Sequence, residues 1–303
     1  RLDYVANLNG ELAFCLVTEK LMALEIPDRA EYIRVILCEL NRIASHMLFY
    51  GVYGLGVGAM TPILYGFRER ERIQSLFESV TGARMMHNYI RIGGVKEDLP
   101  DDFGKRMETL MPQLRQGIEE CDQLLSDSEL FLARTKGIGD IGAGDAIDYG
   151  VTGPALRASG VLEDVRLSEP YGIYDRFDFD VPVGGAHGDC FDRYTVRMAE
   201  MKQSLRLIEA AVRDIPEGPV MAPKVPKRIK PPAGDYYFGV ESARGHFGIY
   251  TYSDGSDTPF RMKLRTPSFV NVSTMCRVLA GTMLADMVAI LGSIDIVIPE
   301  IDR

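Results

Sequence analysis

Residues 191–212 read FDRYTVRMAEMKQSLRLIEAAV. Phe191, Tyr194, Met198, Met201, Leu205, Ile208 and Val212 fall three and four apart, which lays apolar side chains along one helical face. The stripe predicts a helix that packs as a bundle member or along a coiled-coil-like seam. Working outward, Ile33, Ile36, Leu37, Leu40, Ile43, Ala44 and Met47 make a second stripe behind Asp28, which reads as its cap. That helix is expected to loosen near Gly51. Val5, Leu8, Leu12 and Leu16 predict a helix from about Tyr4 to Leu24, broken by Pro27.

Thr61 and Pro62 suit the N-cap and first position of a further helix, and Gly82 suits its stop. The run Arg68-Glu-Arg-Glu-Arg72 inside it reads as a solvated or partner-facing surface, because five consecutive charges cannot all face a core. Another helix is expected over 101–125. Residues 126–188 are irregular and rich in Gly, Asp and Tyr. Residues 216–232 form a proline- and lysine-rich connector with no core pattern. Residues 236–240, 247–252 and 260–264 read as strands of a small antiparallel sheet, with Asp254-Gly255 as a turn between the last two. A helix near 283–291 and an apolar tail close the chain. The architecture is mainly α: an antiparallel helical bundle with one small β appendage.

A formal charge of −9 disfavours nucleic acid as the main partner. The most apolar stretch, 283–298, carries Asp286 and Asp295 and is shorter than the roughly 20 residues a spanning helix needs. The five cysteines are widely spaced with no CxxC, and read as small buried side chains rather than metal ligands. No signal or transit peptide opens the chain. It starts at Arg1 without Met, and reads as a fragment lacking upstream residues.

Residues 137–142 match GxGxxG. A dinucleotide site needs a strand before that motif and a helix opening at its end, whereas residues 129–136 look helical, so a glycine-rich turn is the better reading. Glu39 and Glu19 lie on apolar helices. Either could carry protons with a raised pKa, although pairing with a neighbouring Arg or Lys is favoured. Tyr4, at the mouth of the first helix, could donate a hydrogen bond or proton to a carbonyl ligand, but from spacing alone a core aromatic is favoured.

Longer strings say more. RVILCELNRIASH (34–46), GAMTP (58–62), FRERE (67–71), MMHNYIRIGG (85–94), LRASG (156–160) and the ending 293–303 resemble, in one order, the quinone-site D subunit of bacterial NADH-quinone oxidoreductase, respiratory complex I. The resemblance runs from end to end. It implies the fold of the large subunit of nickel-iron hydrogenases, as one domain over 1–303. Within it lie a helical part (1–215), a linker (216–234), the sheet (235–265) and a C-terminal helix and tail (266–303). It also implies that an N-terminal portion of the family is missing here.

In the hydrogenase relatives the C-terminal CxxC would fall where Val297 and Glu300 stand, with no sulfur ligand, so no metal is expected. The resemblance makes Tyr4 the catalytic residue that hydrogen-bonds the quinone head group. Its usual partner is a histidine on an upstream loop, and the aspartate supporting that histidine is replaced by Gly56. Leu48 and Val297 match positions lining the quinone pocket, with plain core packing as the other reading. Arg1 matches an arginine near the [4Fe-4S] cluster of the neighbouring B subunit. A redox-linked histidine of some relatives falls at Met86.

The chain itself is expected to bind no cofactor. It would help pass electrons from the B subunit to quinone, coupled to proton translocation, and be inactive alone. It would contact the B and C subunits and the membrane-embedded H subunit, as a peripheral protein on the cytoplasmic face of the bacterial cell membrane. The short connector at 216–232 departs from the family and leaves open an equivalent complex fed by ferredoxin or another donor. A non-catalytic assembly protein is the remaining alternative.

Overall fold

The structure, a computed structural model, describes residues 1–185 and 187–302. Arg303, the end of the tail in the sequence reading, lies outside the described residues. Five long helices dominate: α1 (Asn7–Leu21), α2 (Asp28–Gly56), α3 (Thr61–Thr81), α4 (Phe103–Ser126) and, after four short helices, α9 (Cys190–Asp214). The short ones are α5 (Glu129–Thr135), α6 (Ala143–Asp148), α7 (Pro154–Ala158) and α8 (Val165–Ser168). After the strands come α10 (Pro267–Val272), α11 (Met275–Val278), α12 (Met287–Ile294) and α13 (Ile298–Ile301). The protein is thus mainly α, as its periodicity predicts.

Helix α2 is the axis. Every residue from 30 to 47 is buried, because α1, α3, α9 and α12 all pack on it. It does not loosen at Gly51 but runs on to Gly56. Gly51 and Gly54 lie where α3 comes closest, and a Cβ at either would sit 2.9 Å from Ile63 Cα or Pro62 Cβ. The glycines serve a close helix crossing rather than a break. Helix α1 starts at Asn7, three residues later than predicted, because the Asp3 carboxylate accepts the N–H groups of Val5 and Ala6 and turns the chain there.

Among the described residues two sheets form, both antiparallel. The predicted one is β3 (Gly234–Ser242), β4 (Gly245–Ser253) and β5 (Arg261–Arg265), in that order. It is not an appendage. Its β3–β4 turn, Ala243-Arg244, is buried among the helices, and Arg42 on α2 donates to the carbonyls of Glu241 and Ser242 at 2.6 and 3.0 Å. The unpredicted sheet is a hairpin of β1 (Ile90–Arg91) and β2 (Gly94–Val95). The connector lies along it: Val95 N–H donates to the Val220 carbonyl at 2.9 Å, and Ala222 N–H to the Gly93 carbonyl at 2.7 Å. Any side chain on Gly94 would collide with the Val220 carbonyl oxygen. A segment with no side-chain pattern is therefore fixed through its backbone.

Residues 137–142 join helices α5 and α6, with Gly137 and Gly139 at φ of 66° and 70°, so the motif is a turn without a preceding strand. The Arg68–Arg72 run is not wholly solvated. Glu69 is buried and accepts from Arg68 and Arg72 at 2.6 Å each. Four cysteines are buried as expected, but Cys276 is exposed.

Candidate functional site

A cavity of about 370 Å³ opens between the C-terminal half of α2, helix α12 and the segment before α1. That volume suits a small organic ligand. Tyr4, Leu48, Gly56 and Val297 all line it, so residues distant in sequence meet at one place. The rest of the wall is mostly apolar: Phe49, Val52, Tyr53, Met287, Val288 and Leu291 among others. Tyr4 is 41% exposed, and among the described residues its hydroxyl makes no hydrogen bond. The core-aromatic reading of Tyr4 therefore fails. Val297 is buried and Leu48 partly so.

The wall that carries Val297 is held by polar side chains that periodicity could not reveal. Arg197, on the back of the α9 stripe, donates to the carbonyls of Ser293 and Ile294 at 2.9 and 3.0 Å and lies 4.3 Å above the Phe49 ring. A guanidinium at a helix C-terminus satisfies carbonyls left without partners and opposes the dipole there. Burial lowers the Arg197 pKa to about 10. Arg244, from the β3–β4 turn, donates to the Asp295 carbonyl at 2.9 Å, to Ser45 at 3.0 Å and to Asp3 at 2.8 Å. The same Asp3 turns the chain beneath Tyr4. Val297 N–H donates to Ser268 Oγ at 3.1 Å, and Ser268 in turn donates to Glu300. Burial, reinforced by Asp3, pushes the Glu300 carboxyl up to about 7.

Arg244 and Asp295, both in the cavity lining, escape a reading of the sequence. The available signal for Asp295 is an acid in the most apolar stretch of the chain, which it shares with Asp286. Arg244 has none, since an arginine in a hairpin turn ordinarily points to water.

Arg1 is not in this cavity. It is exposed and lines a second one of about 520 Å³ with Met86, Glu11 and Phe14. Asp3 belongs to that lining and Arg244 to the first, so their ion pair stands between the two cavities.

Glu39 does not carry a raised pKa. Burial opposes its ionisation, but Arg42 and Arg166, with hydrogen bonds from Ser204 and Tyr174, hold it down to about 2. Glu19 pairs with Arg34 at 2.6 Å. The favoured pairing is thus what both carboxylates do. His46 bonds Glu200 at 3.0 Å, and burial lowers its pKa to about 4. Among the described residues, no three His, Cys, Asp or Glu side chains come together as a metal site, and no helix is long and apolar enough to cross a membrane.

A mainly α protein with an apolar cavity, an exposed phenol at its wall and an arginine–aspartate pair is the class these features define. Residues 56–231 and 224–303 match the family profile described as respiratory-chain NADH dehydrogenase, 49 Kd subunit. The chain belongs to that family. It is 49% identical over 302 residues to the NADH-quinone oxidoreductase D subunit of Desulforamulus reducens, and 47% to that of Carboxydothermus hydrogenoformans. The D subunit of Bacillus mycoides is 46% identical, and in each comparison all of this chain and 82% of the relative are covered.

Proposed function

We propose that this chain forms the quinone-reducing site of an NADH-quinone oxidoreductase, with Tyr4 as its catalytic residue. One observation carries the reading: the unpartnered Tyr4 hydroxyl lines the same apolar cavity as Leu48 and Val297. An isoprenoid-type quinone offers two carbonyl oxygens on a flat apolar ring. The apolar wall takes the ring, and the phenol is the donor for one oxygen. Reduction puts negative charge on that oxygen, and a hydrogen bond from Tyr4 strengthens as the charge grows. The chain has no redox group of its own in this scheme. Electrons come from the [4Fe-4S] cluster of a neighbouring B subunit, on the side of the second cavity, which Arg1 and Met86 line, where the positive charge of Arg1 favours the reduced cluster.

The mouth supports a membrane-facing partner such as the H subunit. Val52, Met287 and Val288 line the cavity yet are exposed, and Leu55, Met283 and Leu284, within four residues of them, are exposed too. Clustered exposed apolar side chains mark an interaction surface. A peripheral place on the cytoplasmic face, contact with the C subunit, a hydrogenase-large-subunit-like fold in one domain and coupling to proton translocation complete the proposal, supported by family membership. Tyr4→Phe in the assembled complex is expected to cut quinone reduction about a hundredfold while the cluster is still reduced by NADH. Wild-type turnover with that variant would remove Tyr4 from the mechanism.

A further inference from the structure

Among the described residues, the cavity wall carries one carboxyl group, Asp295. Its position is unfavourable for an acid. It ends α12 in the left-handed region, at φ 60° and ψ 54°, where glycine or asparagine is preferred. A negative charge there also meets the negative end of the helix dipole. Neither effect selects aspartate as a cap.

The carboxylate is also under-used structurally. Oδ1 accepts only a long bond, 3.4 Å, from Arg244. Oδ2 accepts no hydrogen bond and has only Arg197 Nε at 4.0 Å. The Glu39 carboxylate, by contrast, has both oxygens satisfied. The charged groups facing it are Arg244 from the β3–β4 turn, Arg197 from α9 and Asp3 from the segment before α1. Glu300 from α13 faces the same Arg244. Burial outweighs the two arginines and raises the Asp295 pKa, so the group is able to hold a proton.

We propose that Asp295 is the proton donor that restores Tyr4 after each reduction, and that Arg244 is a positioning residue joining it to Asp3 and thereby to the Tyr4 segment. The inference rests on the quinone reading above. Two electrons from the NADH-driven chain reduce the quinone. One reduced oxygen takes the phenolic proton of Tyr4, forming an O–H bond and leaving a phenolate, and the other oxygen takes its proton from solvent. The Asp295 carboxyl gives its proton to that phenolate through water in the cavity, and the resulting carboxylate, held by Arg244, takes a proton back from solvent.

The test is Asp295→Asn in the assembled complex. Quinone-reducing kcat is expected to fall about a hundredfold with KM changed less than about twofold. Wild-type activity should decline as pH rises through the Asp295 pKa, and the variant should lose that alkaline limb. Asp295→Glu should restore both rate and limb. A wild-type kcat with the limb intact in Asp295→Asn overturns the assignment. So do equal losses in the Asn and Glu variants with an unchanged pH profile, the signature of a packing role. Should the variant fail to assemble, infrared difference spectra of wild-type complex carrying isotope-labelled aspartate decide the matter. A protonated aspartate carbonyl band lost on quinone reduction supports the proposal, and its absence refutes it. Tyr4→Phe measured alongside separates the two readings. A slow Tyr4→Phe with a fast Asp295→Asn removes only the proton assignment, whereas full activity in Tyr4→Phe removes the site.

Discussion

Glu39 shows how a charge can be kept in the middle of a helical core. Arg42 and Arg166 approach its carboxylate at 3.2 and 3.1 Å, and Tyr174 and Ser204 donate to it at 2.7 and 2.6 Å. A buried ion pair adds little net stability, but removing one partner strands the other. Glu39→Gln, which leaves two guanidiniums undercompensated, should destabilise the chain by about 3 kcal/mol or more, read as a lower thermal midpoint at neutral pH. The pH dependence follows from the depressed pKa. The folded carboxyl binds its proton only near pH 2, whereas the unfolded one binds it near its ordinary 4.5. The stabilisation from ionised Glu39 is complete above 4.5 and fades as pH falls toward 2. The gap between wild type and variant should therefore shrink across that window.

At the scale of elements, the α2–α3 crossing is set by glycines on both helices. A Cβ on Gly66 would lie 2.6 Å from the Met47 carbonyl oxygen, and no rotamer moves a backbone atom away. Gly66→Ala is expected to cost about 1–3 kcal/mol, seen as a lower urea midpoint with an unchanged slope. Gly10, inside α1, has nothing within 4 Å of an added Cβ. Gly10→Ala should instead raise the midpoint, by about 0.5–1 kcal/mol of helix propensity. A raised midpoint for Gly66→Ala would show that the crossing had been misjudged, and a lowered one for Gly10→Ala that its helix propensity had been.

At the scale of the whole molecule, surface chemistry is divided. The net charge of −9 is spread over a chain whose Leu55, Met283 and Leu284 are exposed within four residues of the cavity lining. Leu55→Glu with Leu284→Glu should leave the fold intact, because exposed substitutions shift stability by only about ±0.5 kcal/mol each. The doubly substituted chain should show unchanged circular dichroism yet fail to remain with the other subunits of the complex on a density gradient. Full retention would show that these side chains face water.

The sequence by itself determined the long helices, the three-stranded sheet and the family, because an apolar face repeats at the period of its element and leaves a trace in residue order. Through resemblance it also nominated Tyr4, Leu48 and Val297 as one site, and these residues line one cavity. Only the tertiary structure decided what stands behind them. Arg197, Glu200 and Ser204 share α9 with an apolar stripe, and on spacing alone they read as its wet side, yet all are buried. Their burial depends on α2, α7 and α12 closing over that second face, and the 200-residue separation between Arg42 and the Ser242 carbonyl has no signature in the sequence. The same holds for the connector, whose backbone pairs with the β1–β2 hairpin through groups that every residue type carries.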